Sequence, residues 1–134
     1  MRILIADDNQ LVRRGVAEVL SSVADCHVCG EASNGAEALQ KAREMRPDLV
    51  ILDISMPGTN GLETARLLRQ EIPEIRILIM SQHDPVQLLP SILEAGASHC
   101  LDKSRISTDL PEAIKNLLDA QPRSTSEKPS GRPY

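Results

Sequence analysis

Runs of consecutive apolar residues that end in a carboxylate constrain the fold of this 134-residue chain most strongly. Residues 3–6 are followed by Asp7 and Asp8, and residues 49–52 are followed by Asp53. A strand that is apolar at every position is typical of a parallel sheet with both faces buried. Functional sites in open sheets of this kind lie at the carboxyl ends of the strands. We therefore expect these three acids to lie together at that edge.

The rest of the chain alternates between strand and helix patterns. Apolar residues at helical spacing, the cap residue Asn9 and the helix breakers Pro47 and Pro73 mark the helices. The predicted strands cover residues 3–6, 26–32, 48–53, 75–80 and 98–101, and the predicted helices about residues 9–23, 38–45, 62–68, 85–95 and 108–118. Short loops and right-handed crossovers then predict an α/β, flavodoxin-like, doubly wound parallel sheet of five βα units with strand order 2-1-3-4-5.

Composition and charge limit the class of protein. With 41% hydrophobic residues, one domain of this length can bury roughly two-thirds of its unfolded surface. The net charge of −4 and the scattered basic residues argue against direct nucleic-acid binding by this chain. No apolar run approaches the roughly 20 residues that span a membrane, and no signal peptide precedes the first strand. We expect a cytoplasmic domain over residues 1–120, followed by a flexible tail or interdomain linker over residues 121–134.

The cysteines favour structural roles. Cys26 and Cys29 form a CxxC pattern, which also occurs in redox pairs and zinc sites. Residues three apart in an extended strand point to opposite faces, and no second CxxC or histidine pair follows. The pattern therefore does not predict a metal site, and Cys100 is interpreted as a small buried apolar residue.

The three acids indicate phosphate chemistry. Clustered carboxylates raise one another's pKa unless a cation neutralises them. Mg²⁺ is held in proteins by one or two carboxylates together with phosphate oxygens. Ser81 and Lys103 follow the fourth and fifth predicted strands, so a hydroxyl and an ammonium should reach the same edge of the sheet.

These residues form a set of motifs that resembles the receiver domain of two-component response regulators. The motifs are Asp7-Asp8, Asp53 followed by Ser55-Met56-Pro57-Gly58 and Gly61, Ser81, and Gly96-Ala97 with Lys103 after five further residues. Other segments are most similar to receivers of the NarL/FixJ type, namely Gly30-Glu31-Ala32, Asn34-Gly35, Pro47-Asp48, Asn60-Gly61 and Ser81-Gln82-His83-Asp84. The resemblance covers about residues 1–120.

The resemblance implies a role for each acid. Asp53 would be the phosphoacceptor, taking a phosphoryl group from a sensor histidine kinase. Asp8 would bind Mg²⁺ directly, Asp7 would bind it through water, and the backbone carbonyl of Ser55 would supply a further ligand. Such a chain is a signalling phosphoacceptor, not an enzyme, although it assists its own phosphorylation and dephosphorylation.

The resemblance also implies a switch. Lys103 would pair with a phosphoryl oxygen and the Ser81 hydroxyl would bind another, while Pro57 and Gly61 would shape the loop around the metal. Phosphorylation would then shift the face formed by helix four, strand five and helix five toward its active arrangement, which is also a candidate homodimer interface.

Several residues differ from the receiver motifs or are expected to tune the phosphorylation chemistry. Cys100 stands where the family usually has an aromatic switch residue, and Gln82 replaces a small residue, where it could crowd Asp53 or point to solvent. Ser55 and His83 would flank the path of the hydrolytic water and set the lifetime of the phosphoryl group. Pro90, inside the fourth predicted helix, should kink or delay that helix.

Alternative functions remain open at the level of sequence. The chain could be a single-domain regulator, or the receiver fragment of a DNA-binding transcriptional regulator. A degenerate receiver that binds partners without phosphorylation is a second alternative. A phosphatase of the haloacid dehalogenase type also uses an aspartate nucleophile with Mg²⁺, but its signature follows the first strand, whereas the nucleophile candidate here follows the third.

Overall fold

The computed structural model describes residues 1–56, 60–82 and 85–119. In these residues strands and helices alternate along the chain. The elements are β1 Arg2–Ala6, α1 Gln10–Ser21, β2 His27–Ala32, α2 Gly35–Met45, β3 Leu49–Asp53, α3 Gly61–Glu71, β4 Arg76–Ser81, α4 Pro85–Glu94, β5 His99–Asp102 and α5 Ile106–Asp119, with a 3-10 turn at Lys103–Arg105.

The five strands form one parallel sheet in the order β2-β1-β3-β4-β5. This confirms the flavodoxin-like fold and the strand order that the sequence predicted. In the register between β1 and β3, Ala6 pairs with Leu52. The next residues along the chain, Asp7 and Asp53, therefore lie at the same level at the ends of these two neighbouring strands.

The sheet has an aliphatic core on each face. Leu4 and Ala6 of β1 pack on the side covered by α2, α3 and α4, while Ile3 and Ile5 pack on the side covered by α1 and α5. Every residue of β3 is buried, and the chain contains no Phe or Trp. Each fully buried Leu or Ile stabilises the fold by about 1.5–3 kcal/mol, so branched aliphatic side chains supply the hydrophobic free energy.

Three of the helices, α1, α2 and α3, have an asparagine N-cap. The Asn9 side chain accepts hydrogen bonds from the backbone N–H groups of Leu11 and Val12 at 2.8 and 3.3 Å. Asn34 and Asn60 cap α2 and α3 in the same way. These caps satisfy N–H groups that a helix start leaves unpaired.

The fifth helix differs from the sequence prediction. It begins at Ile106 instead of near residue 108, directly after the 3-10 turn. The Asp102 side chain caps that turn by accepting from the backbone N–H and hydroxyl of Ser104, at 2.9 and 2.8 Å. Pro111 consequently lies inside α5.

Pro90 also lies inside a helix, because α4 runs as one segment from Pro85 to Glu94. The proline therefore neither ends nor delays the helix, although it cannot donate a backbone hydrogen bond. A kink at this position stays a prediction. None of the helices in the described part of the chain is long and apolar enough to cross a membrane.

The cysteines lie within the packing of the sheet. Ile3 pairs with Val28 and Leu4 pairs with Gly30, so Cys29 is the extra residue of a β-bulge. Cys26 packs on the α1 and α5 side of the sheet, where burial raises the pKa of its thiol. All three cysteines are free, which agrees with a structural role.

Candidate functional site: a carboxylate cluster at the carboxyl edge of the sheet

The three acids that the sequence singled out meet at the carboxyl edge of the sheet. Each of Asp7, Asp8 and Asp53 offers a carboxylate oxygen, and these oxygens lie within 4.8 Å of one another. Asp7 is completely buried and Asp53 is 1% exposed, whereas Asp8 is exposed. The cluster therefore has two buried carboxylates and one that faces solvent.

The loop after β3 holds one oxygen of Asp53. Asp53 Oδ1 accepts hydrogen bonds from the backbone N–H and the hydroxyl of Ser55, both at 3.0 Å. A side chain that binds its own backbone two residues further on forms a local turn. This turn orients the Asp53 carboxylate at the strand end, and exposed Ser55 lies on the solvent side.

Lys103 lies between the two buried carboxylates. Its Nζ is 2.8 Å from Asp7 Oδ2 and 3.1 Å from Asp53 Oδ2, and the side chain is 12% exposed. The ammonium offsets the repulsion that two buried anions would otherwise have. Burial disfavours the charged ammonium, but the contacts with Asp7 and Asp53 outweigh burial and raise the pKa of Lys103. Sequence reasoning assigned Lys103 to phosphate and missed this contact with both acids.

Asp7 is held through its backbone as well as its side chain. Its N–H donates to Ala32 of β2 at 3.0 Å, and its Oδ1 accepts from the N–H of Asn9 at 2.8 Å. Its carbonyl oxygen accepts from Arg13 Nη1 at 2.6 Å. Burial raises the pKa of Asp7 above the usual value, and the contact with Lys103 opposes that rise.

Arg13 is a residue that sequence reasoning missed. From the first turn of α1 it reaches the Asp7 carbonyl and also donates Nε to Glu31 Oε1 at 2.8 Å. The available signal was an arginine four residues after the Asn9 cap, with an acid near the end of the neighbouring strand. Only the strand order shows that these groups are adjacent.

Gly61 permits a close approach of the loop to β3. Its N–H donates to the Ile54 carbonyl at 3.2 Å, and a Cβ at this position would lie 2.2 Å from Ile54 Cα. A side chain at position 61 would therefore displace backbone. Pro57, the other residue expected to shape this loop, lies outside the described residues.

The residues of the expected switch lie on β4 and β5. Ser81 is completely buried and pairs with Asp102 in the sheet. Gln82 is exposed, as in the solvent-facing alternative, and His83 lies outside the described residues. Cys100 packs partly buried against the α2, α3 and α4 side, and burial raises the pKa of its thiol to about 11.

The cluster fits a hard divalent cation. Three carboxylates with oxygens close together match the oxygen ligands that Mg²⁺ takes in proteins. Asp7 Oδ2 is buried, and the Lys103 ammonium lies 2.8 Å from it. Asp7, Asp8 and Asp53 could therefore hold a metal ion.

Fold and site together define a class of signalling domain, and comparison with known proteins agrees. The family model described as response regulator receiver domain matches residues 3–115. The chain belongs to this family.

Its relatives include transcriptional regulators. It is 40% identical over 118 residues to the transcriptional activator protein ExaE of Pseudomonas putida, covering 88% of this chain and 55% of that protein. It is 34% identical over 121 residues to the response regulator GacA of Pseudomonas viridiflava, covering 90% and 56%. The chain thus spans about half the length of these curated relatives.

Solved structures agree in fold. A LuxR-family two-component response regulator from Aurantimonas superposes with a TM-score of 0.83 at 35% identity, covering 88% of this chain and 84% of that one. The signal receiver domain of the response regulator NarL from Mycobacterium tuberculosis superposes with a TM-score of 0.81 at 32% identity, covering 90% and 97%. The receiver-domain family that the motifs predicted is therefore confirmed, and these solved relatives are of the NarL and LuxR type.

Proposed function

We propose that Asp53 is the phosphoacceptor of this receiver domain. The observation that carries the proposal is the position of its carboxylate at the end of the central strand β3, beside two further acids and one lysine. A nucleophilic aspartate needs an oriented oxygen and a neighbouring positive charge. Ser55 orients Oδ1, and the Lys103 ammonium lies 3.1 Å from Oδ2.

Asp7, Asp8, Asp53 and the backbone carbonyl of Ser55 would hold Mg²⁺. The ion would supply positive charge that neutralises the phosphoryl oxygens during transfer. Asp8 is the exposed member of the cluster, so it can take up an ion from solvent at little desolvation cost. Asp7 is buried and would contribute mainly fixed negative charge, with water between it and the ion.

The phosphoryl donor would be a phosphohistidine of a sensor histidine kinase. A carboxylate oxygen of Asp53 forms the new bond to phosphorus, the bond between phosphorus and the histidine nitrogen breaks, and that nitrogen keeps the electron pair. The product is an acyl phosphate on Asp53 and a free histidine on the kinase. Lys103 is within reach of Asp53 and would pair with an oxygen of the transferred group.

The Ser81 hydroxyl would bind a second phosphoryl oxygen and couple the site to the face formed by α4, β5 and α5. Ser81 ends β4 and lies beside Asp102, the last residue of β5, so a movement at Ser81 reaches both strands. Cys100 of β5 would pack at the position where receiver domains usually have an aromatic switch residue. We propose that this face contacts an output partner or a second copy of the chain.

The proposed output is control of transcription. ExaE and GacA are named as a transcriptional activator and a response regulator, and this chain matches about half the length of each. The effector part would bind DNA through residues that the match does not include. A phosphorylation-independent receiver is the weaker alternative, because the acids, Ser81 and Lys103 of the phosphorylation site are all present.

Intact mass measurement tests the proposal. The chain is incubated with Mg²⁺ and acetyl phosphate, with Asp53→Asn as the matched variant, since Asn keeps the size of the side chain but not the nucleophile. We expect one acid-labile phosphoryl adduct on the parent, none on the variant, and none when EDTA removes the metal. No adduct on the parent, or an equal adduct on Asp53→Asn, would contradict the assignment.

A further inference from the structure

Arg13 connects three elements at the edge of the sheet. Its guanidinium donates from Nη1 to the Asp7 carbonyl at the end of β1 and from Nε to Glu31 near the end of β2. Its own backbone N–H donates to Asn9 at 3.1 Å within the first turn of α1. The Arg13 side chain is only 15% exposed, so most of it is shielded from solvent.

The second partner, Glu31, is itself anchored from α2. Lys41 Nζ donates to the Glu31 carbonyl, and the same ammonium lies 3.3 Å from Glu37 of its own helix. The Glu31 backbone pairs with Ile5 of β1 in the sheet. Arg13 therefore connects the loop after β1 to a segment of β2 that is also held by α2 and by the sheet.

The hydrogen bond from Arg13 to the Asp7 carbonyl orients the whole peptide unit between Asp7 and Asp8. The peptide unit between Asp7 and Asp8 is planar, so fixing the Asp7 oxygen also fixes the plane that carries the Asp8 nitrogen and Cα. Asp8 is exposed, and within the described residues its side chain makes no hydrogen bond. The position from which its carboxylate projects therefore depends on its backbone.

We propose that Arg13 is a positioning residue of the metal site, which holds the peptide between Asp7 and Asp8 so that both carboxylates face the cation. The inference rests on the proposed function, because it assumes that these acids bind Mg²⁺. Groups that orient metal ligands from outside the coordination sphere raise affinity because the ligands need less ordering on binding. Arg13 would act in this way without touching the ion.

Mg²⁺ titration by isothermal calorimetry tests the inference. Arg13→Met keeps the apolar stem but removes both donors, and Glu31→Gln keeps an acceptor for Nε but removes the charge. Arg43→Met is the matched control, because Arg43 makes a two-point contact with Glu71 on the surface and contacts none of the three acids. All titrations are run on folded protein, with the unfolding temperature measured separately in EDTA.

We expect Arg13→Met to weaken Mg²⁺ binding by about 10-fold, Glu31→Gln to weaken it less, and Arg43→Met to bind as the parent does. A purely structural role would lower the unfolding temperature in EDTA but leave the Kd of the folded protein unchanged. Parent-like binding by Arg13→Met would overturn the inference. If Arg13→Met does not fold, parent-like binding by Glu31→Gln would overturn it instead.

The parent titration separates the two proposals. If the parent chain does not bind Mg²⁺, the proposed function fails before Arg13 is tested. If the parent binds and the Arg13 and Glu31 variants bind equally well, only the positioning role fails.

Discussion

Lys103 and Asp7 form a close ion pair, with Nζ 2.8 Å from Oδ2, at the edge of the sheet. Asp7 is completely buried and Lys103 nearly so. Without a metal ion, this ammonium is the cation found closest to the buried carboxylates in the described residues. Lys103 therefore stabilises both acids in the metal-free chain, and under the proposed function it would also pair with a phosphoryl group on Asp53.

Lys103→Met should destabilise the metal-free protein by about 3 kcal/mol, because it leaves buried carboxylates without a partner. Added Mg²⁺ should recover part of that loss by neutralising the same acids. Urea unfolding followed by circular dichroism, in EDTA and in Mg²⁺, measures both effects. Lys115→Met, at an exposed position of α5, is the control and should change stability little. Equal stability of Lys103→Met and Lys115→Met in EDTA would count against the neutralising role.

Two glycines should respond oppositely to alanine. At Gly61 a Cβ would lie 2.2 Å from Ile54 Cα, so Gly61→Ala should cost about 1–3 kcal/mol of unfolding free energy through overpacking. At Gly15, inside α1, a Cβ meets no atom within 4 Å. Gly15→Ala should therefore stabilise by about 0.5–1 kcal/mol, because alanine loses less backbone entropy in a helix. Urea unfolding of both variants checks the pair, and a stable Gly61→Ala would show that the loop can move away.

Cys100 should resist alkylation at neutral pH. Burial raises the pKa of its thiol to about 11, and the thiolate is the reactive form. An acid whose folded pKa is raised favours the folded state below its unfolded pKa of 9.0. That contribution is lost as the pH rises from about 9 toward 11.

Peptide mapping after timed iodoacetamide treatment measures the rate at Cys100 in folded and urea-unfolded protein. We expect the folded rate to be much lower near pH 9 and to approach the unfolded rate only near pH 11. Equal rates at pH 9 would show that the thiol is not protected. Cys100→Ser serves as the control for assignment of the modified peptide.

Ser55→Ala should lengthen the life of the phosphoryl group severalfold. The Ser55 hydroxyl lies 3.0 Å from Asp53 Oδ1 on the solvent side of the site, where it can hold the attacking water. Ser104→Ala is the matched control, because the Ser104 hydroxyl makes the same kind of contact, at 2.8 Å, with Asp102 instead of Asp53. Loss of the adduct is timed by intact mass after removal of the donor, and identical half-lives for parent and Ser55→Ala would remove this role.

The sequence predicted those features that follow from local patterns together with the general rules for connecting strands. Strand order follows from apolar runs and the rules for connecting parallel strands, and the meeting of Asp7 with Asp53 follows from strand ends that share one edge. The contacts of Arg13 and Lys103 depend on which side chains meet at the ends of β1, β2, β3 and β5, which no local pattern specifies. The early start of α5 follows the turn that Asp102 caps, and the apolar spacing of the helix does not specify that cap.

Whether Asp53 accepts the phosphoryl group is best determined by chemical mapping of the acyl phosphate. Borohydride reduces an aspartyl phosphate to homoserine, which marks the position in the peptide sequence. After treatment with acetyl phosphate and Mg²⁺, we expect homoserine at position 53 and at neither position 7 nor position 8. Homoserine at Asp7 or Asp8, with Asp53 unchanged, would contradict it.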